Sequence, residues 1–181
     1  MKAGAILILG LAASLWMVEE SASREKRGPS TPKERSRAVK LVRELEEDPY
    51  GAEARDARRW LSLWLVEVPD MPVDLCPELF GGTPAERKRL PAEIVAQTLY
   101  SGVAFVIENP GKAEAREEIY KAGVLGALKA YEAVLKERPE LRSPLLDSLI
   151  GKREAGTLPA HVTESMAGCA ASRSSRSVSP N

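Results

Sequence analysis

The sequence predicts an all-α fold, a small bundle of four to five helices. Three observations carry this. Apolar residues recur at helical spacing in five separate segments. Prolines sit at the starts and ends of those segments rather than inside them. No run alternates apolar and polar residues long enough to require a strand.

Thr31-Pro32 opens the first helix. Thr31 suits a capping position, Pro32 the first helical residue, and Glu34, three after Thr31, completes a capping box. Ala38, Leu41, Val42 and Leu45 then form one apolar stripe among charged neighbours, and Asp48-Pro49 ends it. Tyr50-Gly51 turns the chain into a second helix reaching about Val68, with Ala57, Trp60, Leu61, Trp64, Leu65 and Val68 on one face. Two tryptophans one turn apart read as core, with a ligand-facing role as the alternative. Prolines 69, 72, 77 and 84 then exclude a long helix or a central strand. This proline-rich connection separates helices two and three. Thr83-Pro84 with Glu86 marks one short capped turn inside it.

The third helix runs from Pro91 to about Glu108. It is apolar on most sides, as a buried central helix is, and Asn109-Pro110-Gly111 stops it. The fourth is the longest, about Lys112 to Arg138. Ile119, Ala122, Gly123, Gly126, Ala127, Ala130 and Val134 make a small-residue face, and Val124, Leu128, Tyr131 and Leu135 a larger one. Each glycine inside a helix costs about 1 kcal/mol against alanine, so Gly123 and Gly126 need a reason. A close helix crossing is one, and access for a ligand is the other. Ser143-Pro144 starts a short fifth helix carrying Leu145, Leu146, Leu149 and Ile150. The helical domain is thus 32–154. A flexible lead-in, 24–31, precedes it, and a disordered tail is expected over 155–181, where large apolar residues become sparse.

The segment before the lead-in has its own pattern. Lys2 is followed by the uncharged run Ala3 to Val18, then Glu19-Glu20 and the small residues Ser21-Ala22-Ser23. That order is the signature of a secretory signal peptide, here 1–23, cleaved after Ser23. The apolar run falls short of the ~20 residues of a bilayer-spanning helix. The two glutamates make a poor cleavage region, so an uncleaved anchor is the alternative. No cysteine follows the run, which argues against a lipoprotein. The chain is expected to be exported, to a periplasmic or extracellular location, with membrane contact only if the leader is retained.

Charge and composition narrow the function. Lys+Arg and Asp+Glu are 26 each, so the basic excess of a nucleic-acid binder is absent. Arg24, Lys26 and Arg27, with Glu25 among them, read as a solvated arm. The single histidine, His161, lies at the edge of the expected tail, which disfavours a serine triad and His-based zinc. Asp70, Asp74 and Glu78 lack the Asp/Asn alternation and central glycine of an EF-hand loop and read as a solvated acidic loop. Gly81-Gly82-Thr83-Pro84 has no following Lys-Ser/Thr and is no phosphate cradle. Cys76 and Cys169 are a possible disulfide in an oxidising compartment. A buried Cys76 or an intermolecular bond are the alternatives, and a redox Cys-x-x-Cys is absent.

GALKAYEAVLKERPE, residues 126–140, resembles the second helix of a tetratricopeptide repeat. Ala127, Tyr131 and Pro139 stand at that motif's small, aromatic and proline positions. The resemblance covers half of one repeat and implies a helical surface of the kind that binds proteins. The expectation is a non-enzymatic, exported module with no cofactor, whose partner is another protein. The alternative is a carrier of a small apolar ligand, with Trp60, Trp64, Gly123, Gly126 and Tyr131 as the candidate ligand-facing residues.

Overall fold

The structure is a computed structural model that describes residues 27–71 and 74–177, with side chains as far as Cys169. The expected leader, 1–23, lies outside the described residues. Seven α-helices and no strand occur among those described: α1 Pro32–Glu47, α2 Ala54–Glu67, the single turn α3 Pro84–Arg87, α4 Ala92–Glu108, α5 Arg116–Glu137, α6 Pro144–Glu154 and α7 Leu158–Ser177. No helix among them is long and apolar enough to cross a membrane.

Local chemistry explains the boundaries. The Thr31 and Glu34 side chains cap each other's backbone N–H at 3.3 and 2.8 Å, which starts α1. Thr83 and Glu86 repeat the device at α3, at 3.3 and 2.7 Å. Asp48-Pro49, Asn109-Pro110 and Arg138-Pro139 close α1, α4 and α5, because a proline following the last residues cannot extend the backbone hydrogen-bond ladder.

The helices bury two apolar clusters. One joins α1, α2 and α4 through Ala38, Val42, Leu45, Leu61, Trp64, Tyr100 and Val103. The other joins α5, α6 and α7 to the segment before α3 through Leu79, Phe80, Leu128, Tyr131, Leu146, Leu149 and Val162. The most extensive helix pairing, α4 on α5, runs between them. Its closeness depends on glycine. A Cβ at Gly123 would sit 3.2 Å from the Thr98 carbonyl carbon and closer still to its oxygen. A Cβ at Gly126 would overlap the Ser101 hydroxyl.

Three segments differ from the sequence expectation. Over its described part the stretch from Ala155 is not a structureless tail, because α7 occupies Leu158–Ser177, while residues 178–181 lie outside the described residues. Leu158 and Val162 are buried in the second cluster, Met166 packs against it, and Cys169 lies inside it. This stripe, spaced by 4, 4 and 3, is helical but thinly populated, which hid it among small and polar residues. The lead-in is anchored where it is described. Ser30 is buried, and its N–H and hydroxyl both donate to Asp70, at 2.9 and 2.8 Å. The proline-rich connection is also part of the core: Pro77–Phe80 forms a 3-10 turn that buries Leu79 and Phe80. Gly81 and Gly82, at φ 68° and 61°, turn the chain from it into α3. Only glycine adopts that left-handed backbone without penalty.

Candidate functional site

A concavity lies between α1 and α2. It encloses about 540 Å³. Leu41, Leu45, Ala54 and Ala57 contribute apolar surface to it, and Glu44, Glu47, Asp48, Glu53 and Asp56 contribute carboxylates. Arg37 is the cation among its lining residues, and its guanidinium also stands 4.4 Å above the Trp60 ring. Two of the acids are engaged from outside: Lys40 meets Glu44 at 2.5 Å and Lys129 meets Glu47 at 3.4 Å. The result is an acidic groove with an apolar floor.

The tryptophans stand on α2. Trp60 and Trp64 stack with ring centroids 5.5 Å apart and planes 11° from parallel. Trp64 is buried in the first cluster, and Trp60 packs on its edge. The Trp64 indole N–H is buried with no acceptor among the described residues, an uncommon condition for a polar group in a folded interior.

Gly123 and Gly126 stand elsewhere, pressed on α4 at the crossing just described. There a buried polar seam joins three helices. The Ser101 hydroxyl donates to Glu46 at 2.8 Å, and Gln97 Nε2 donates to the Ser101 oxygen at 3.1 Å. Arg43 donates to the same Glu46 oxygen at 2.6 Å, and Lys129 lies 3.6 Å from the other. Gly126 is the gap into which Ser101 and Glu46 fit. The structure therefore does not gather the tryptophans and the two glycines around one space. Tyr131 is in the second cluster. Its hydroxyl donates to Asp147 at 2.9 Å and accepts from the Ser143 N–H at 2.7 Å, tying α5 to the start of α6. Burial pushes its pKa up.

Cys76 and Cys169 are bonded to each other, with their Cα atoms 5.6 Å apart across 93 residues of sequence. The bond fastens the end of the proline-rich connection to α7. Glu78 lies beside it, and its carboxylate with the two sulfurs forms the one metal-like grouping among the described residues. The sulfur–sulfur bond leaves neither cysteine a thiolate to offer a metal, and Arg87 stands 3.8 Å from the Glu78 carboxylate. His161 is fixed nearby: its Nε2 lies 2.9 Å from the Leu79 carbonyl oxygen. A carbonyl can only accept, so Nε2 carries the proton.

The acidic run does not converge. Asp74 pairs with Arg116 at 2.9 Å, and Asp70 pairs with Arg35 at 2.8 Å besides its two bonds from Ser30. Burial acts to raise the Asp70 pKa. The Ser30 N–H, its hydroxyl and the Arg35 guanidinium outweigh it and hold the carboxyl below its ordinary value.

Sequence reading missed the Glu46–Gln97–Ser101 seam. Its trace was three polar residues, Gln97, Thr98 and Ser101, within an otherwise apolar helix. It missed the anchoring of His161 because α7 itself was not foreseen. No family model, curated protein or solved structure matches this chain.

Proposed function

We propose that the protein is an exported, non-enzymatic helical module that binds another protein, with the α1–α2 groove as its contact surface. The supporting observation is how the chemically capable groups are spent. Asp70 holds the lead-in, Asp74 holds Arg116, His161 holds the Leu79 carbonyl, and Cys76 and Cys169 hold each other. Each serves the fold, whereas general acid–base or nucleophilic work needs positioned groups converging on one space. The groove offers shape instead, and its carboxylates over an apolar floor suit a partner segment that mixes Lys or Arg with apolar side chains. The tetratricopeptide-like stretch is consistent with such a module, since Ala127 and Tyr131 are buried in α5 and Pro139 opens the turn that follows it.

The test is photocrosslinking in the native host from a benzophenone residue placed at the exposed Glu53. A discrete adduct that weakens with salt and disappears in a Glu47→Lys/Asp56→Lys chain supports the reading. Failure to form any adduct from the correctly folded, exported chain overturns it.

A carrier role keeps one observation on its side, the unpartnered Trp64 N–H, which a ligand carbonyl or hydroxyl would satisfy. Gly123 and Gly126 give it no room. A small molecule retained in native mass spectra, and lost with Trp64→Phe, would favour the carrier over the protein-binding module.

A further inference from the structure

We propose that the C-terminal end of α2 is a membrane-contacting face, seated on the surface of a bilayer that carries anionic headgroups. The inference stands apart from the groove and its partner. Arg55, Arg59, Ser62, Leu63 and Val66 are all exposed, and their spacing of 4, 3, 1 and 3 places them along one side of the helix. The stripe runs from two arginines to two aliphatic side chains. Val66 is 87% exposed and Leu63 55%, the two highest values among the large apolar residues described. A shallow groove of about 280 Å³ adjoins them, lined by Ser62, Leu65, Val66, Met71 and Leu99.

What covers this face follows from where the chain enters the fold. Arg27, the first described residue, donates to Glu67 at 3.1 Å and also pairs with Glu34. Ser30 is fastened to Asp70. The sequence N-terminal of Arg27 is therefore joined to the fold at the same end of α2 that exposes Leu63 and Val66. That sequence is Arg24-Glu25-Lys26, preceded by the uncharged run Ala3–Val18. Residues 19–26 span at most ~3.6 Å each when extended, which keeps the apolar run within reach of the face. Cleavage after Ser23 would make Arg24 the N-terminus, adding a free amine to the cations Arg24 and Lys26 that precede Arg27 in sequence. Both forms suit an anionic lipid surface: apolar tips enter the boundary between headgroups and acyl chains, and the cations meet the headgroups. The carboxylates at this end are each met by a cation: Glu34 and Glu67 by Arg27, and Asp70 by Arg35.

The test uses the full chain with Val66→Cys labelled by an environment-sensitive fluorophore. The native cysteines are bonded to each other, and Val66 is exposed enough to be replaced without disturbing the core. Leu125→Cys, on α5, is the control. With phosphatidylcholine–phosphatidylglycerol vesicles, the label at 66 should shift to the blue and be quenched by doxyl-labelled lipid, while the label at 125 should not. Adding Leu63→Ser should lower the docked-to-free ratio at least tenfold, about the worth of burying one leucine. An unchanged label at 66 would overturn the proposal. So would equal changes at 66 and 125, which report the leader alone holding the protein. A shift without vesicles that grows with protein concentration would overturn it too, by assigning the face to contact between copies.

Discussion

Gly123→Ala separates the two reasons a helix keeps a glycine in its middle. At a position beside open space, alanine stabilises, because helix propensity favours it by about 1 kcal/mol. At a close crossing the added methyl must displace something. Here its neighbours are backbone, the Thr98 carbonyl oxygen and, at 3.2 Å, the carbonyl carbon, which cannot rotate aside as a side chain would. Relief requires α4 and α5 to separate, and overpacking of this kind costs about 1–3 kcal/mol. Contact with backbone belongs in the upper part of that range, so the net expectation is a loss of about 1–2 kcal/mol. For a chain of this size that is a fall in Tm of about 4 °C. The assay is paired thermal and urea unfolding of the wild type and G123A. The urea midpoint should drop with an unchanged m-value. A rise in Tm would refute the close-crossing argument and restore ligand access as the reason for the glycine.

Three further outcomes follow from the geometry. Cys76→Ala/Cys169→Ala should destabilise the protein by about 2–4 kcal/mol, since the bond closes a loop of about ninety residues. Amide exchange should show α7 opening before α4 and α5. Stability should fall as pH drops below about 4. Thr31 and Thr83 backbone bonds lower Glu34 and Glu86, an Arg153 bond lowers Glu132, and Ser30 and Arg35 lower Asp70 against its burial. A depressed folded pKa means the unfolded chain binds more protons, so the contribution is present above the ordinary carboxyl value and lost below it. Urea midpoints that stay flat between about pH 6 and pH 3 would contradict this. Glu46→Gln should cost about 1–2 kcal/mol, because it weakens the bonds from Ser101 and Arg43 while Lys129 and Arg43 retain access to water.

The all-α class was legible because periodicity and capping agree. Thr31-Pro32 with Glu34, and the Ala38–Val42–Leu45 stripe, specify α1 from residues adjacent in sequence, and the third helix ends at Glu108 as its Asn-Pro-Gly stop indicates. What stayed hidden depends on partners far along the chain. Leu158, Val162 and Cys169 reveal a buried face only when Leu79, Phe80 and Cys76 are there to receive them. The proline-rich connection looked like a loop because Leu79 and Phe80 follow no period, yet a 3-10 turn needs only four residues to bury both. Ser30 reads as a linker residue until Asp70, forty positions later, accepts its N–H. The candidate site was less legible still. The tryptophans and glycines looked alike as a possible ligand surface, and only packing distinguishes a stack on α2 from a helix crossing on α4.

The placement of the polar seam has a physical logic. Apolar clusters on either side of α4 and α5 would tolerate a sliding of one helix along the other, because hydrophobic contact is not directional. Glu46, Ser101 and Gln97 are directional. Shifting α4 by one turn would take Ser101 from both the Glu46 carboxylate and the gap at Gly126, costing the buried carboxylate one of its donors and leaving the hydroxyl without its acceptor. The glycine and the carboxylate thus specify one register together, and neither does so alone: Gly126 without Ser101 leaves a void, and Ser101 without Gly126 has no space. A Ser101→Ala/Glu46→Leu chain removes the directional bonds while keeping apolar bulk. It should remain helical with a broader unfolding transition and faster amide exchange along α4. A transition as sharp as the wild type's would show that close packing at Gly123 sets the register without the polar seam.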